Sequence, residues 1–125
     1  MSALRKRALK LKRAYEVPEP EDGYRILVDR LWPRGVARSR ARIDLWLKEI
    51  APSTGLRKWF GHDPEKWAEF RDRYFGELDE NPEAVAKLRE HVRGGPVTLV
   101  YGAKDREHND TLALAEYLSS RGRRG

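Results

Sequence analysis

Two short apolar runs constrain this chain more than any other feature. Arg25-Ile-Leu-Val-Asp29 and Val97-Thr-Leu-Val-Tyr101 are nearly continuous in apolar character, the pattern of strands covered on both faces. Helical periodicity fills the stretch between them. Ile43, Trp46, Leu47 and Ile50 fall at i, i+3, i+4 and i+7, which predicts a helix over 43–50 ended by Pro52. Ser53 caps a short turn carrying Leu56, Trp59 and Phe60, closed by Gly61. Asp63-Pro64 starts a longer helix with Trp67, Phe70, Tyr74, Phe75 and Leu78 on one face, and Asn81-Pro82 starts another with Val85, Leu88 and Val92. Two buried strands joined through helices favour parallel pairing.

The flanks complete the outline. Leu9 and Leu11 alternate with Lys10 and Lys12, which predicts a half-exposed strand near a sheet edge. The Pro-rich segment from Val17 to Gly23 is a loop. That connector carries no helical pattern, and a parallel crossover usually needs a dozen or more residues, so the direction of the first strand stays open. Asn109 or a neighbour caps a last helix with Leu114, Tyr117 and Leu118 inward. The expected fold is α/β: a small single domain over residues 8–120, with a short, mainly parallel sheet packed by helices. Trp46, Trp67, Phe70, Tyr74, Leu78, Val85, Leu88, Leu114 and Leu118 are its expected core.

Charge and cysteine usage narrow the function classes. The chain carries 26 Lys+Arg against 20 Asp+Glu, a balance that suggests nucleic acid. However, the first seven residues and the last five each contribute three cations, so residues 8–120 are net neutral. The ends 1–7 and 121–125 read as basic flexible tails, and any polyanion binding through them is expected to be weak and salt-sensitive. No specific nucleic acid is therefore expected as a partner. Cysteine is absent, which excludes disulfides, thiolate chemistry and Cys-ligated zinc. The three histidines lack metal-ligand spacing, and no metal or cofactor is expected. No apolar run is long enough for a membrane helix, and the expected location is the cytoplasm.

The chemistry is expected beyond the carboxyl ends of the strands, where open α/β sheets bind ligands. Asp29-Arg-Leu-Trp-Pro-Arg-Gly35 follows the first buried strand, and Tyr101-Gly-Ala-Lys-Asp105 follows the second. Parallel strands would deliver both to one edge. Asp29 and Asp105 are then candidate general bases, with His62 as an acid–base partner. Arg30, Arg34, Lys104 and Asn109 are candidate ligand-binding residues for an anion. The bland alternatives are a salt-bridged scaffold and a histidine filling a helix junction. No phosphate-loop or dinucleotide fingerprint is present.

Arg30-Leu-Trp-Pro-Arg-Gly35, Ala51-Pro-Ser53, Leu56-Arg-Lys-Trp-Phe-Gly-His62, the Trp67…Phe70…Tyr74 helix and Tyr101-Gly-Ala-Lys-Asp105…His108-Asn109 together resemble the YeaO-like family, a bacterial domain of unknown function (DUF 488). The resemblance runs from about Leu9 to Leu118. It implies a compact bacterial cytoplasmic α/β domain and no particular reaction. Three functions compete: binding of, or reaction on, a small anionic phosphate- or nucleotide-bearing ligand; nucleic-acid binding or regulation through Arg34, Arg38, Arg40 and Arg42; and an interaction module with no chemistry. Pairing of Arg38, Arg40 and Arg42 with acids on the helices would remove the main support for the second.

Overall fold

A computed structural model describes residues 9–121 of the chain, the side chain of Arg121 excepted. The flanking basic ends fall almost wholly outside these residues. The described part is an α/β domain. Strands β1 (Leu9–Arg13), β2 (Tyr24–Leu27), β3 (Leu45–Trp46) and β4 (Val97–Tyr101) form one sheet in the order β1-β4-β2-β3. Every pairing is parallel, with Ile26 opposite Leu99, Leu11 opposite Leu99 on the other side, and Leu27 opposite Trp46. The two apolar runs are thus adjacent, central and parallel. The direction left open for β1 is also parallel, although residues 14–23 connect it to β2 with only a single 3-10 turn at Pro20–Asp22.

Five helices accompany the sheet: α1 (Arg38–Ala41), α2 (Thr54–Phe60), α3 (Trp67–Asp79), α4 (Pro82–Arg93) and α5 (Asp110–Arg121). The side chains of Ser53 and Asp63 accept from Leu56 N and Glu65 N, as the cap pattern requires. The sheet is covered unequally. Ile26, Val28, Val97 and Leu99 pack into the main core with Phe60, Phe70, Tyr74, Leu78, Val85, Leu88 and Leu114 from the helices. Leu27 and Val100, of opposite pleat, face a smaller cluster of Ala14, Trp32, Val36, Ile43 and Trp46. Of the expected core, Trp46, Trp67 and Leu118 are only partly buried and pack at its margins.

The predicted helix over 43–50 does not form. Leu45–Trp46 instead adds an edge strand to β2, and Lys48–Ile50 makes a 3-10 turn. Asp44 N donates to Arg25 O at 2.8 Å and Leu47 N to Leu27 O at 2.9 Å. Those long-range ladder bonds override a helical spacing that spans barely two turns. The arginine-rich stretch before it contains the four-residue helix α1.

A buried ionic network supports the less-covered face. Asp22 is buried and accepts from Lys12 Nζ at 3.0 and 3.1 Å, Arg25 Nη1 at 2.6 Å and Glu19 N at 3.0 Å. Its carbonyl accepts from Thr98 Oγ1 at 2.8 Å, and Arg25 Nε and Nη2 donate to Ala41 O. Burial alone would raise the Asp22 pKa, but the Glu19 amide, Lys12 ammonium and Arg25 guanidinium outweigh it and hold the carboxyl below its ordinary value.

Two stability outcomes follow. Phe70→Ala should cost about 3–5 kcal/mol in urea unfolding, because that ring is almost fully buried; a loss below about 1 kcal/mol would mean the face tolerates a cavity. Asp22→Ala should cost a similar ~3–5 kcal/mol, since it leaves Arg25 buried without its anion. The depressed pKa also fixes a sign: the contribution of Asp22 is complete above the ordinary carboxyl pKa and disappears as pH falls through the folded value. The acid limb of a stability–pH curve should therefore flatten in Asp22→Ala.

Candidate functional site

All four strands end at the same sheet edge, and a cavity of about 280 Å³ opens there. Asp29, Arg30, Pro33 and Arg34 line it from the segment after β2, Gly102 and Ala103 from the end of β4, Arg57 and Phe60 from α2, and Asn109 and Asp110 from the start of α5.

The wall after β2 is built by hydrogen bonds from two indoles. Trp46 Nε1 donates to Asp29 O and Trp32 Nε1 to Val36 O, each at 2.7 Å. The rings meet edge-on with centroids 5.5 Å apart. Tyr15 Oη donates to Arg34 O at 2.9 Å and closes the same loop from the β1 side. The opposite wall is fixed by α3. Tyr74 Oη donates to Ile50 O at 2.6 Å, and Glu77 accepts from Ser53 N and Ser53 Oγ at 2.8 and 2.6 Å. The segment so held presents Ala51 O and Pro52 O, which accept from Arg30 Nη2 and Nε at 3.2 and 3.3 Å. The Arg30 guanidinium is therefore positioned rather than loose.

Two carboxyl groups share this cavity. Asp29 Oδ2 accepts from Gly102 N at 2.8 Å, joining the ends of β2 and β4. The approach at Gly102 is close, because a Cβ there would lie 3.3 Å from Asp29 Oδ2 and 3.5 Å from Pro33 Cβ. Burial pushes the Asp29 pKa up to about 6, against the pull of the Gly102 amide and the Arg57 guanidinium. Asp110, at the first position of α5, is pushed up to about 7 by burial and then by the charge of Asp29. Its own amide, that of Thr111 and the Arg57 cation act in the other direction. Both carboxyls are thus harder to ionise than a solvent-exposed aspartate, chiefly because the site is partly dry.

The structure sorts the sequence-derived candidates. Asp29, Arg30, Arg34, His62 and Asn109 line the cavity. Lys104 and Asp105 do not. Asp105 Oδ1 accepts from Glu107 N and His108 N at 2.8 and 3.0 Å, and Oδ2 meets His108 Nδ1 at 3.1 Å. The Glu107 amide first, and then His108, hold it below the ordinary carboxylate range despite some burial. It is a turn-forming acid rather than a base. Asn109 caps α5, with Oδ1 accepting from Leu112 N and Nδ2 donating to Asp105 O, each at 2.8 Å. Both polar ends of its side chain are thereby engaged. His62 is exposed at a positive φ of 59°, beside the Gly61 cap of α2. It sits at the rim and does not fill a helix junction.

Sequence reasoning missed Asp110 and Arg57. Asp110 was signalled by its place at the start of a helix that follows β4, because topology brings that helix start to the edge holding Asp29. Arg57 carried no comparable signal between Leu56 and Trp59. Among the described residues there is no cluster of acids or histidines suited to a metal, and no helix is long and apolar enough to cross a membrane.

Comparison with known proteins agrees with the motif pattern. Residues 8–124 match the family described as "Inactive DUF488-N3 subclade". The chain is 44% identical over 112 residues to "Uncharacterized protein YeaO" of Escherichia coli K12, covering 90% of this chain and 97% of that one. The chain belongs to the YeaO-like DUF488 family. It is also 37% identical over 118 residues to "Uncharacterized protein Rv3073c" of Mycobacterium tuberculosis H37Rv, covering 94% and 99% of the two chains. The same values hold for "Uncharacterized protein Mb3100c" of Mycobacterium bovis. No solved structure matches significantly.

The raised carboxyl pKa values fix a direction for stability. Both groups ionise near the ordinary 3.8 in the unfolded chain but only near 6 and 7 in the fold. Between about pH 4 and 7 the unfolded state has already released protons that the fold still holds, so stability falls with rising pH across that window. Asp110→Asn should remove much of the fall. Its melting temperature should exceed that of the wild type by several degrees at pH 8, with the difference closing toward pH 4. Equal melting at pH 8 would show that the pair carries no such repulsion.

Proposed function

We propose that this cavity binds a small anionic ligand bearing a phosphate, with a nucleotide as the best-fitting class. The observation that carries the reading is the joint presence of Arg30, Arg34 and Arg57 with Asp29 and Asp110 around one cavity at the strand ends. Guanidinium groups grip phosphate oxygens in a forked geometry. The carboxyl pair offers acceptors for ribose hydroxyls, and its raised pKa values mean that it repels an anion less than two ordinary carboxylates would. Phe60 and Phe70 supply apolar wall for a flat ring.

Binding is favoured over turnover. Asp29 and Asp110 are both raised toward the range useful for proton transfer, but the family description carries the word "inactive". The reading therefore keeps the pocket and assigns it recognition.

Calorimetric titration with inorganic phosphate, ribose 5-phosphate and AMP tests it. AMP should bind most tightly. Arg57→Ala should weaken AMP by roughly ten- to a hundredfold, the value of about 1.5–3 kcal/mol for a hydrogen bond to a charged group. Lys104→Ala, outside the cavity lining, should change it less than twofold. Absence of saturable binding by all three compounds at millimolar concentration would end the proposal.

A further inference from the structure

A ridge of cations leads from the cavity mouth along the β3 edge of the domain. Residues 34–48 contain Arg34, Arg38, Arg40, Arg42 and Lys48 against the single acid Asp44. Among the described residues, none of these five cations forms a salt bridge, and all five are exposed. The test framed on the sequence, pairing of Arg38, Arg40 and Arg42 with acids on the helices, therefore comes out against pairing. The net neutrality of residues 8–120 conceals a local excess of unpaired positive charge in this one stretch.

The ridge is built rather than loose. The Arg38 guanidinium lies 4.5 Å from the Trp32 ring centroid and 5.8 Å from that of Trp46, while Lys48 Nζ lies 4.8 Å from Trp46. Beneath α1, buried Arg25 donates twice to Ala41 O and is itself held by Asp22. Arg42 then takes a left-handed conformation with φ of 53°, a steric cost that glycine would not carry. The ridge is continuous with the cavity, because Trp32 and Arg34 belong to both and Tyr15, half exposed, is fixed at the mouth through Arg34 O.

We infer that the ridge binds the phosphate backbone of a single-stranded nucleic acid, aligned so that one nucleotide of the strand enters the cavity. Exposed, unpaired arginines beside a fixed aromatic ring and a concave site are the elements of single-strand recognition. A duplex fits less well. The helix on the ridge has only four residues, too short to read a groove, and stacked bases cannot reach the cavity. The inference deepens the reading of the pocket, and rests on it only for the nucleotide in the cavity.

Fluorescence anisotropy with a labelled mixed-sequence 12-mer, using the full chain throughout, tests the ridge. The double variant Arg40→Gln/Arg42→Gly should bind roughly tenfold more weakly at low salt. Its salt dependence should be shallower by about 1.4, the single-strand value for two lost phosphate contacts. The control Lys87→Gln/Arg93→Gln removes two cations from α4 and should leave binding unchanged. Arg42→Gly relieves the positive φ, so the single variant should melt no lower than the wild type while still binding more weakly; that outcome separates binding from folding. Wild-type affinity in the ridge variant, an equal loss in the α4 control, or tighter binding of the matching duplex would each overturn the inference. AMP titration separates the two proposals. If AMP binds but the 12-mer ignores the ridge variant, the strand fails and the pocket stands; if the ridge dependence holds without AMP binding, the pocket reading fails and with it the placement of a nucleotide in the cavity.

Discussion

The buried carboxylate of Asp22 is the constraint on which the less-covered face of the sheet depends. It receives Lys12 from β1 and Arg25 from β2, while its carbonyl receives Thr98 from β4. Three strands are therefore tied at one residue that lies in none of them. Arg25 extends the tie to α1 through Ala41 O. A charge so deeply placed is costly unless every partner is present, so losing any one of these contacts leaves a buried group unpaired. It also explains how a connector of ten residues, with no helix, crosses from β1 to β2: the 3-10 turn at Pro20–Asp22 is held from three sides.

The cavity follows from the same economy of layers. Helices cover one sheet face, and the other is covered by Trp32, Trp46 and the chain around them. Those indoles spend their N–H groups on the backbone of residues 29–36, the stretch that carries Asp29, Arg30 and Arg34. The tryptophans therefore do two things, sealing apolar surface and shaping the wall of a polar site. On the helical side, Tyr74 and Glu77 hold residues 50–53, whose carbonyls orient Arg30. Site geometry and core packing are thus the same set of contacts seen from two sides.

Most of the architecture was legible in the sequence because it rests on patterns longer than the local noise. The β2 and β4 runs, the Ser53 and Asp63 caps and the α3 face are each specified by several residues that agree. The failure at 43–50 has the opposite character. Four apolar positions there satisfy a helical period, but the chain must also supply an edge to β2, and two ladder bonds decide it. Parts of the site were legible for a topological reason, since parallel strands bring Asp29 and Gly102 to one edge. What was not legible depends on side-chain accounting. Asp105 looked available until its turn claimed both oxygens, and Asn109 until α5 claimed its amide. Asp110, one residue later, is the acid that remains.

The pairing of Asp29 with Asp110 gives the proposed binding a built-in link to protons. Burial makes both carboxyls resist ionisation, and the charge of Asp29 adds to the effect at Asp110. An anion seated against Arg57 would neutralise the cation whose field favours the ionised carboxyls, and would add repulsion of its own. Both effects raise the affinity of the pair for its proton. Under the proposed function, anion binding would therefore be accompanied by proton uptake at this pair. A neutral ligand of the same shape would lack the linkage, because it brings no charge to oppose the carboxylates. Under the proposed function the acid pair would thus take part in recognition even without turnover: it would let a cavity lined by both signs of charge adjust its own balance to a bound anion.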